Sequence, residues 1–441
     1  MTPRDYVSHY STAAPAIPGV PSSPAPLSVE DGEMIGIVCM GSGGPSSLDD
    51  VSRFLYDLYM DPARLELGMG GFLRHLFARL MSNLRSSVVR DRYEMIGGRS
   101  PLLRMMGEQT GALERHLIRE YHGAEVEFRT YVAHRHGTPS FVDAARQMEE
   151  DGVDRVVLLP LVPQYALSRT RSWIQYWETL EHAGEIPSWP RTAVHEYAAN
   201  PKYVQALSER IDEATQRFPK ESRSDIHLLF TAAGLPPSER DRRCDPSCCL
   251  VCSTVDHVMR YRDHDHPFSI AFQPEVGPPM TLMPSVEREI DRLAGADASD
   301  VLVVPVSFVT DRLETCVHLD IELRDHAYDV GIESFEVTSG LNTHPLFVEA
   351  LAEAVVSQCH LSDDMVRREA QGDSAPSGYP LPPLRDLATE PMHEQAVTCP
   401  ACTGEVRPKV WGQTVTETIL PRPSPRPFRM TPMRIESSRD S

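Results

Sequence analysis

Four thiols fall within one short stretch, Cys244, Cys248, Cys249 and Cys252, a density that points to metal chemistry rather than packing. Four thiolates suffice for a two-iron two-sulfur (2Fe-2S) cluster. A second pair, Cys399 and Cys402, repeats the spacing of Cys249 and Cys252, and the two pairs together would form the knuckles of a tetrahedral zinc or iron site. Reduced thiols without metal are the third reading. Adjacent side chains diverge, so one of Cys248 and Cys249 is expected to be a bystander. Cys39, Cys316 and Cys359 lie among apolar residues and read as core. A different chemistry is suggested by Glu314, His318 and Glu322, which share one helix face at i, i+4 and i+8. Such a stripe, starting just after an apolar strand, is a candidate functional face. A solvated helix face is the plainer reading.

The elements that must position these groups can be read from hydrophobic pattern. The cysteine run follows a strand-like segment, Ile226 to Phe230, and a break at Gly234-Leu235-Pro236. Strand ends of this kind are where open α/β sheets place ligands. Further strand-like runs are Met34 to Cys39, Val126 to Val132, Val156 to Leu161, Phe268 to Phe272, Val301 to Val306 and Ile332 to Val337. Helical patterns fill the gaps, as at Ser140 to Glu150 and Tyr203 to Phe218. Apolar strands alternating with helices predict parallel sheets covered on both faces. The expected fold class is therefore α/β: two Rossmann-like, doubly wound lobes, residues 33–199 and 200–360, with a cleft between them. Residues 1–32 and 361–441 read as tails from their Pro, Ser and charged content. The glycine turn Gly41-Ser42-Gly43-Gly44-Pro45 has neither the lysine of a P-loop nor a dinucleotide spacing, so nucleotide binding is not expected.

Charge narrows the partners. Among 441 residues, 63 acidic side chains against 43 basic ones give a formal charge of -20, which excludes a nucleic-acid backbone as the natural partner. No apolar stretch approaches membrane-spanning length, and no charged start leads into an apolar signal core, so a reduced, cytoplasmic setting is expected. Gly70 to Met81 carries Leu and Phe at helical spacing between arginines. It reads as a core-facing amphipathic helix or a lip over a pocket, with peripheral membrane contact as the alternative.

Several segments, taken in order, resemble one family. They are Gly41-Ser42-Gly43-Gly44-Pro45 with Leu48-Asp49-Asp50-Val51, Ile96-Gly97-Gly98-Arg99-Ser100-Pro101, Pro163-Gln164-Tyr165, Phe230 to Pro236, Gln273-Pro274-Glu275-Val276-Gly277-Pro278, Val304 to Val309 and Asn342-Thr343-His344-Pro345-Leu346-Phe347. In order and spacing over about residues 34–357 they resemble ferrochelatases. The resemblance implies two lobes clamping a porphyrin, protoporphyrin IX or coproporphyrin III, with ferrous iron as co-substrate from an iron donor. It implies that Glu314 is the catalytic acid, with His318 and Glu322 behind it, and that Ser42, Arg135, His136, Gln164, Tyr165 and Ser168 contact the porphyrin.

The chain also departs from the pattern. The family's Ser-Ala-His-Gly-Leu-Pro is here Thr231-Ala232-Ala233-Gly234-Leu235-Pro236, so Ala233 stands where the family has a histidine base or metal ligand. His136 and His318 are the candidate substitutes. Ser42 replaces a bulky Met or Tyr, Val162 a tyrosine, Thr281 a tryptophan and Arg312 a histidine, while Arg169 and Arg171 enter a small hydroxyl run. Cys399-Pro400-Ala401-Cys402 is similar to the family's C-terminal cluster pair, but Arg407 and Leu167 occupy the positions of the other two ligands. Two functions follow: insertion of ferrous iron into a porphyrin, or tetrapyrrole and haem binding without insertion.

Overall fold

The computed structural model describes residues 26–65, 70–121, 126–234, 247–273 and 284–360. In chain order the first half contains β1 (Leu27–Ser28), β2 (Met34–Gly41), α1 (Val51–Met60), α2 (Gly71–Met95), α3 (Pro101–Glu120), β3 (Glu127–His134), α4 (Phe141–Asp151), β4 (Arg155–Pro160), a π-helix π1 (Leu167–Arg171), α5 (Ser172–His182) and β5 (Arg191–Ala193). The second half contains α6 (Pro201–Thr215), β6 (His227–Ala233), α7 (Ser247–Tyr261), β7 (Phe268–Gln273), α8 (Val286–Ala294), β8 (Asp300–Pro305), a π-helix π2 (Glu314–Glu322), α9 (Leu323–Asp329), β9 (Ser334–Val337), α10 (Pro345–Val356) and β10 (Cys359–His360).

Runs such as Val-Val-Leu-Leu in β4 and Val-Leu-Val-Val in β8 are apolar on both faces, which suits only a strand covered by helices on each side. The strands accordingly form two all-parallel sheets, ordered β3-β2-β4-β5 and β7-β6-β8-β9. Each sheet reverses its strand order once, between β2 and β4 in the first and between β6 and β8 in the second. Crevices at such reversals, beyond the carboxyl ends of the strands, are the ligand positions of open α/β sheets. Helix starts are fixed locally. Ser140 and Asp143 make a reciprocal capping box on α4, and Asn200 accepts from the Lys202 and Tyr203 amides ahead of α6.

One apolar core runs through both lobes, joining Ile35, Ile37 and Leu159 of the first sheet with Phe230, Leu302 and Val304 of the second. Two buried glutamines bridge the lobes. Gln109 on α3 donates to the carbonyls of Asn342 (2.9 Å) and Val309 (3.4 Å) and accepts from the Thr310 hydroxyl at 2.7 Å. Gln164, beyond β4, donates to Thr254 at 3.1 Å and accepts from Ser307 at 2.9 Å.

The structure corrects several expectations. Leu27 and Ser28, inside the segment read as a tail, pair in parallel with Cys359 and His360. Burial of Leu27 and Val29 on the shared core holds them there. β5 escaped notice because Arg-Thr-Ala carries too little apolar pattern to mark a strand. The helix starting at Gly71 is not core-facing in the expected sense. Its inward side carries Arg74, Ala78, Ser82, Val89 and Tyr93, while Phe72, Leu73, Leu76, Leu80, Leu84 and Val88 are exposed. The inversion has a local cause: the Arg74 guanidinium is buried to hydrogen-bond the carbonyls of Tyr59, Asp61 and Leu65, which turns the leucines outward. Glu314, His318 and Glu322 lie on a π-helix, whose wider turn relaxes the α-helical alignment expected of i, i+4, i+8.

Candidate active site

Two adjoining hollows, the second somewhat larger, open between the strand ends of the two sheets. Both are bordered by Ser42, Leu102 and Arg312. Ser42 follows β2, and the second hollow also reaches Leu161 and Val162 after β4 and Ser307 to Thr310 after β8. The cavities therefore sit where the strand-order reversals of both sheets face each other. The turn that delivers Ser42 requires glycine at 43: its φ is +81°, and a Cβ there would lie 1.9 Å from the His136 carbonyl oxygen.

Glu314 heads π2 and borders the smaller hollow with Tyr93, Ser100 and Arg64. It is only 4% exposed, and Arg312 donates to it through Nε at 2.8 Å while stacking over the Phe308 ring at 5.0 Å. Burial, reinforced by the Glu314 charge, raises the Tyr93 phenol well above its ordinary range. Further along π2, His318 Nε2 lies 3.2 Å from Glu287, and its hydrogen bond pulls the Glu287 carboxyl down to about 2. Glu322 takes both prongs of Arg92 from α2, at 2.7 and 3.0 Å. Side-chain exposure rises along the helix from 5% at Glu314 through 18% at His318 to 33% at Glu322. The three groups thus run from buried to partly exposed along π2, each held by a partner of its own.

Other expected contacts lie elsewhere. Arg135 and His136 do not border either hollow. Arg135 lies 3.2 Å from Asp61 and over the Tyr176 ring at 3.7 Å, and His136 Nε2 is 3.1 Å from the same Asp61 oxygen. The reason is electrostatic: burial alone would raise the Asp61 pKa, but Arg135, with His136, outweighs it and holds the carboxyl well below its ordinary value. Burial leaves His136 neutral, its pKa lowered to about 4 against the pull of Asp61. A cationic partner thus goes to Asp61 instead of the cleft. Gln164 is spent on the lobe bridge, and Tyr165 packs at a tilt of 52° against the His195 ring with centroids 5.7 Å apart. Ser168 is half-buried on π1, whose next residue, Arg169, reaches the larger hollow.

Ala233 ends β6 in register with Gln273 on β7. Registered residues of adjacent parallel strands share a sheet face about 4.8 Å apart, so the small methyl sits beside a fully buried carboxamide. Among the described residues, neither the oxygen nor the nitrogen of that amide has a hydrogen-bond partner. Cys248 and Cys252 are one turn apart on α7, both buried in the shared core. Cys244, Cys399 and Cys402 lie outside the described residues, as does the side chain of Cys249. Among the described residues no group of three or more His, Cys, Asp or Glu gathers as a metal site.

Sequence reasoning missed Asp61, Tyr93 and Gln109. Gln109 had a readable signal, since it interrupts the apolar face Leu102, Met106, Leu113, Leu117 of α3 at helical spacing.

Comparison with known proteins follows the same outline. A family model described as Ferrochelatase matches residues 34–359. The chain is 34% identical over 332 residues to a ferrochelatase of Prochlorococcus marinus subsp. pastoris, covering 74% of this chain and 83% of that protein. It is 33% identical over 331 residues to a ferrochelatase of Synechocystis sp., covering 73% and 82%. Among solved structures, SirB from Bacillus subtilis with Fe3+ overlays with a TM-score of 0.43 at 10% identity, covering 74% of this chain and 95% of that one.

Proposed function

The chain belongs to the ferrochelatase family, and from that premise we propose that it inserts ferrous iron into a porphyrin using the π2 stripe as its proton and metal path. Membership makes it a metal chelatase of the lyase class in haem biosynthesis, with iron as substrate. Two N–H protons must leave a porphyrin as the metal enters. The observation that carries the reading is the graded exposure of Glu314, His318 and Glu322, with a buried carboxylate at the hollow and a paired one at the surface. Glu314 accepts a proton at the macrocycle, Arg312 holds it in position, and His318 and Glu322 pass the charge outward. The test is anaerobic ferrous iron with protoporphyrin or coproporphyrin and the purified chain. Glu314→Gln should lower the rate by at least about 100-fold, the lower end of general acid–base contributions. A full rate in that variant would remove Glu314 from the mechanism.

A second reading, porphyrin or haem binding without insertion, is favoured by Ala233, which offers no base where the family has histidine. Tight porphyrin binding with no haem formed in the same assay would establish it.

For the thiols, Cys248 and Cys252 present two buried sulfurs one turn apart. They suit half of a four-thiolate set, completed by Cys244 and Cys249 around a 2Fe-2S cluster, whose role would be structural or redox-sensing. Zinc on Cys249, Cys252, Cys399 and Cys402 is the alternative. Iron, sulfide and zinc content of the wild type, Cys244→Ser and Cys399→Ser separate the two.

A further inference from the structure

The proton path proposed above has a neighbour on a different helix. Glu287 stands in the first turn of α8, where the helix dipole favours a carboxylate, and its carboxyl also accepts from the Ser285 hydroxyl. It lies 3.2 Å from His318 Nε2. One turn further along α8, Asp291 lies 2.8 Å from Nε2 of His326 on α9. Beneath these two pairs Val286 and Ile290 pack with Leu319 and Leu323, so α8 is held in register against π2 and α9 with Glu287 aimed at His318. A carboxylate only accepts hydrogen bonds, so the ring nitrogen facing Glu287 is the one that carries hydrogen. In the neutral ring the other nitrogen, Nδ1, is then a bare lone pair. It is buried and has no hydrogen-bond partner among the described residues, although solvent reaches 18% of the side chain. A buried acceptor without a donor is costly, and this one belongs to a residue about one turn of π2 from Glu314. An imidazole oriented through one nitrogen, with the other open to a proton, is the arrangement of a general base and its orienting group.

We infer that Glu287 is a positioning residue for iron insertion: it holds His318 in the Nε2–H tautomer, so that Nδ1 takes the proton that Glu314 has collected from the porphyrin. The inference rests on the iron-insertion reading above and deepens it. In this step the Glu314 O–H bond breaks and an Nδ1–H bond forms, which leaves Glu314 a carboxylate and His318 an imidazolium paired with Glu287. The imidazolium then gives one proton to solvent at the Glu322 end of π2, and the neutral ring returns to the Nε2–H tautomer that Glu287 favours. One such cycle serves each of the two porphyrin protons. Glu287 touches neither porphyrin nor iron and acts only through His318.

The experiment measures kcat and porphyrin KM for anaerobic ferrous iron insertion by the full chain, as wild type, Glu287→Ala, Glu287→Asp and His318→Gln, together with nitrogen-15 histidine spectra of the same proteins. At about pH 8, above the ordinary histidine value, the ring signals that disappear in His318→Gln are expected to report the Nε2–H tautomer in wild type and a mixture of tautomers in Glu287→Ala. Glu287→Ala should lower kcat by at least about tenfold, the order seen when a partner that orients a histidine is removed, with KM within about twofold of wild type. Glu287→Asp should recover part of the rate. Glu287→Ala combined with His318→Gln should be no slower than His318→Gln alone, because the two residues act as one unit. An Nδ1–H tautomer in wild type, a full rate in Glu287→Ala, or losses that add in the double variant would each overturn the inference while wild-type turnover keeps the iron-insertion reading. Should Glu287→Ala fail to fold, the wild-type tautomer and the rate of Glu287→Asp decide: an Nδ1–H ring, or an Asp variant at full rate, overturns it. A wild type that forms no metalloporphyrin would overturn the reading and the inference together.

Discussion

At the scale of single residues, the site is defined as much by what stands opposite each charge as by the charge itself. Asp61 captures Arg135 and His136, Arg312 captures Glu314, and Arg92 captures Glu322. Beside Ala233, the Gln273 carboxamide is buried and has no partner among the described residues. Ala233→His is accordingly expected to raise the rate of iron insertion, by supplying both a base at the strand end and a partner for Gln273. An unchanged or lower kcat in that variant, with fold retained, would count against the second reading's account of the missing base. Buried imidazoles set an acid limit. Burial lowers His134 and His136 to about 4 each, in the second case outweighing Asp61. Between about 4 and the ordinary value of 6.5 the unfolded chain therefore binds more protons, and stability rises with pH across that window, by at most about 1.4 kcal/mol per pH unit for each group. Urea midpoints should fall from pH 6.5 to pH 4.5, and His134→Asn should flatten the fall; parallel curves would refute the assignment.

Among the elements, α2 and π2 depart furthest from sequence expectation. The exposed apolar row of α2 repeats every four residues from Phe72 through Leu76, Leu80 and Leu84 to Val88, with Arg79 and Arg90 exposed beside it. A row of this length beside arginines suits the interface of an anionic lipid surface, and no helix among the described residues is long and apolar enough to cross a membrane. Leu76→Glu with Leu80→Glu should abolish co-flotation with phosphatidylglycerol vesicles while leaving the melting temperature within a few degrees. Flotation equal to wild type would exclude this face. Periodicity located the helix but not its orientation, because a buried arginine satisfied by three carbonyls is invisible to a pattern of leucines. It also placed Glu314, His318 and Glu322 together but could not distinguish π from α, since the two differ by hydrogen bonds rather than by residue type.

For the molecule as a whole, the longer apolar strands and their parallel pairing were legible from runs such as Val156 to Leu161, whereas β1, β5 and β10 were not. The two-lobed architecture followed. What sequence could not show was how the lobes are joined, because that rests on polar contacts between residues far apart in the chain. Gln164→Leu should cost roughly 2 to 4 kcal/mol, as the Ser307 hydroxyl and the Thr254 contact lose their buried partner. Denaturant melts would measure it, and a loss within about 0.5 kcal/mol, typical of an inconsequential surface change, would show that the bridge is dispensable.

The small parallel pair of Leu27–Ser28 with Cys359–His360 has a topological consequence. Strands in such a pair run about 4.8 Å apart, so the body bounded by these residues is nearly a closed ring of chain. A linker of a few residues from His360 back to Leu27 would complete that ring, and new termini could then be opened in a surface loop without parting either sheet. A circular permutant made in this way should keep the cleft, because the order in which the lobes are synthesised is separable from the way they pack.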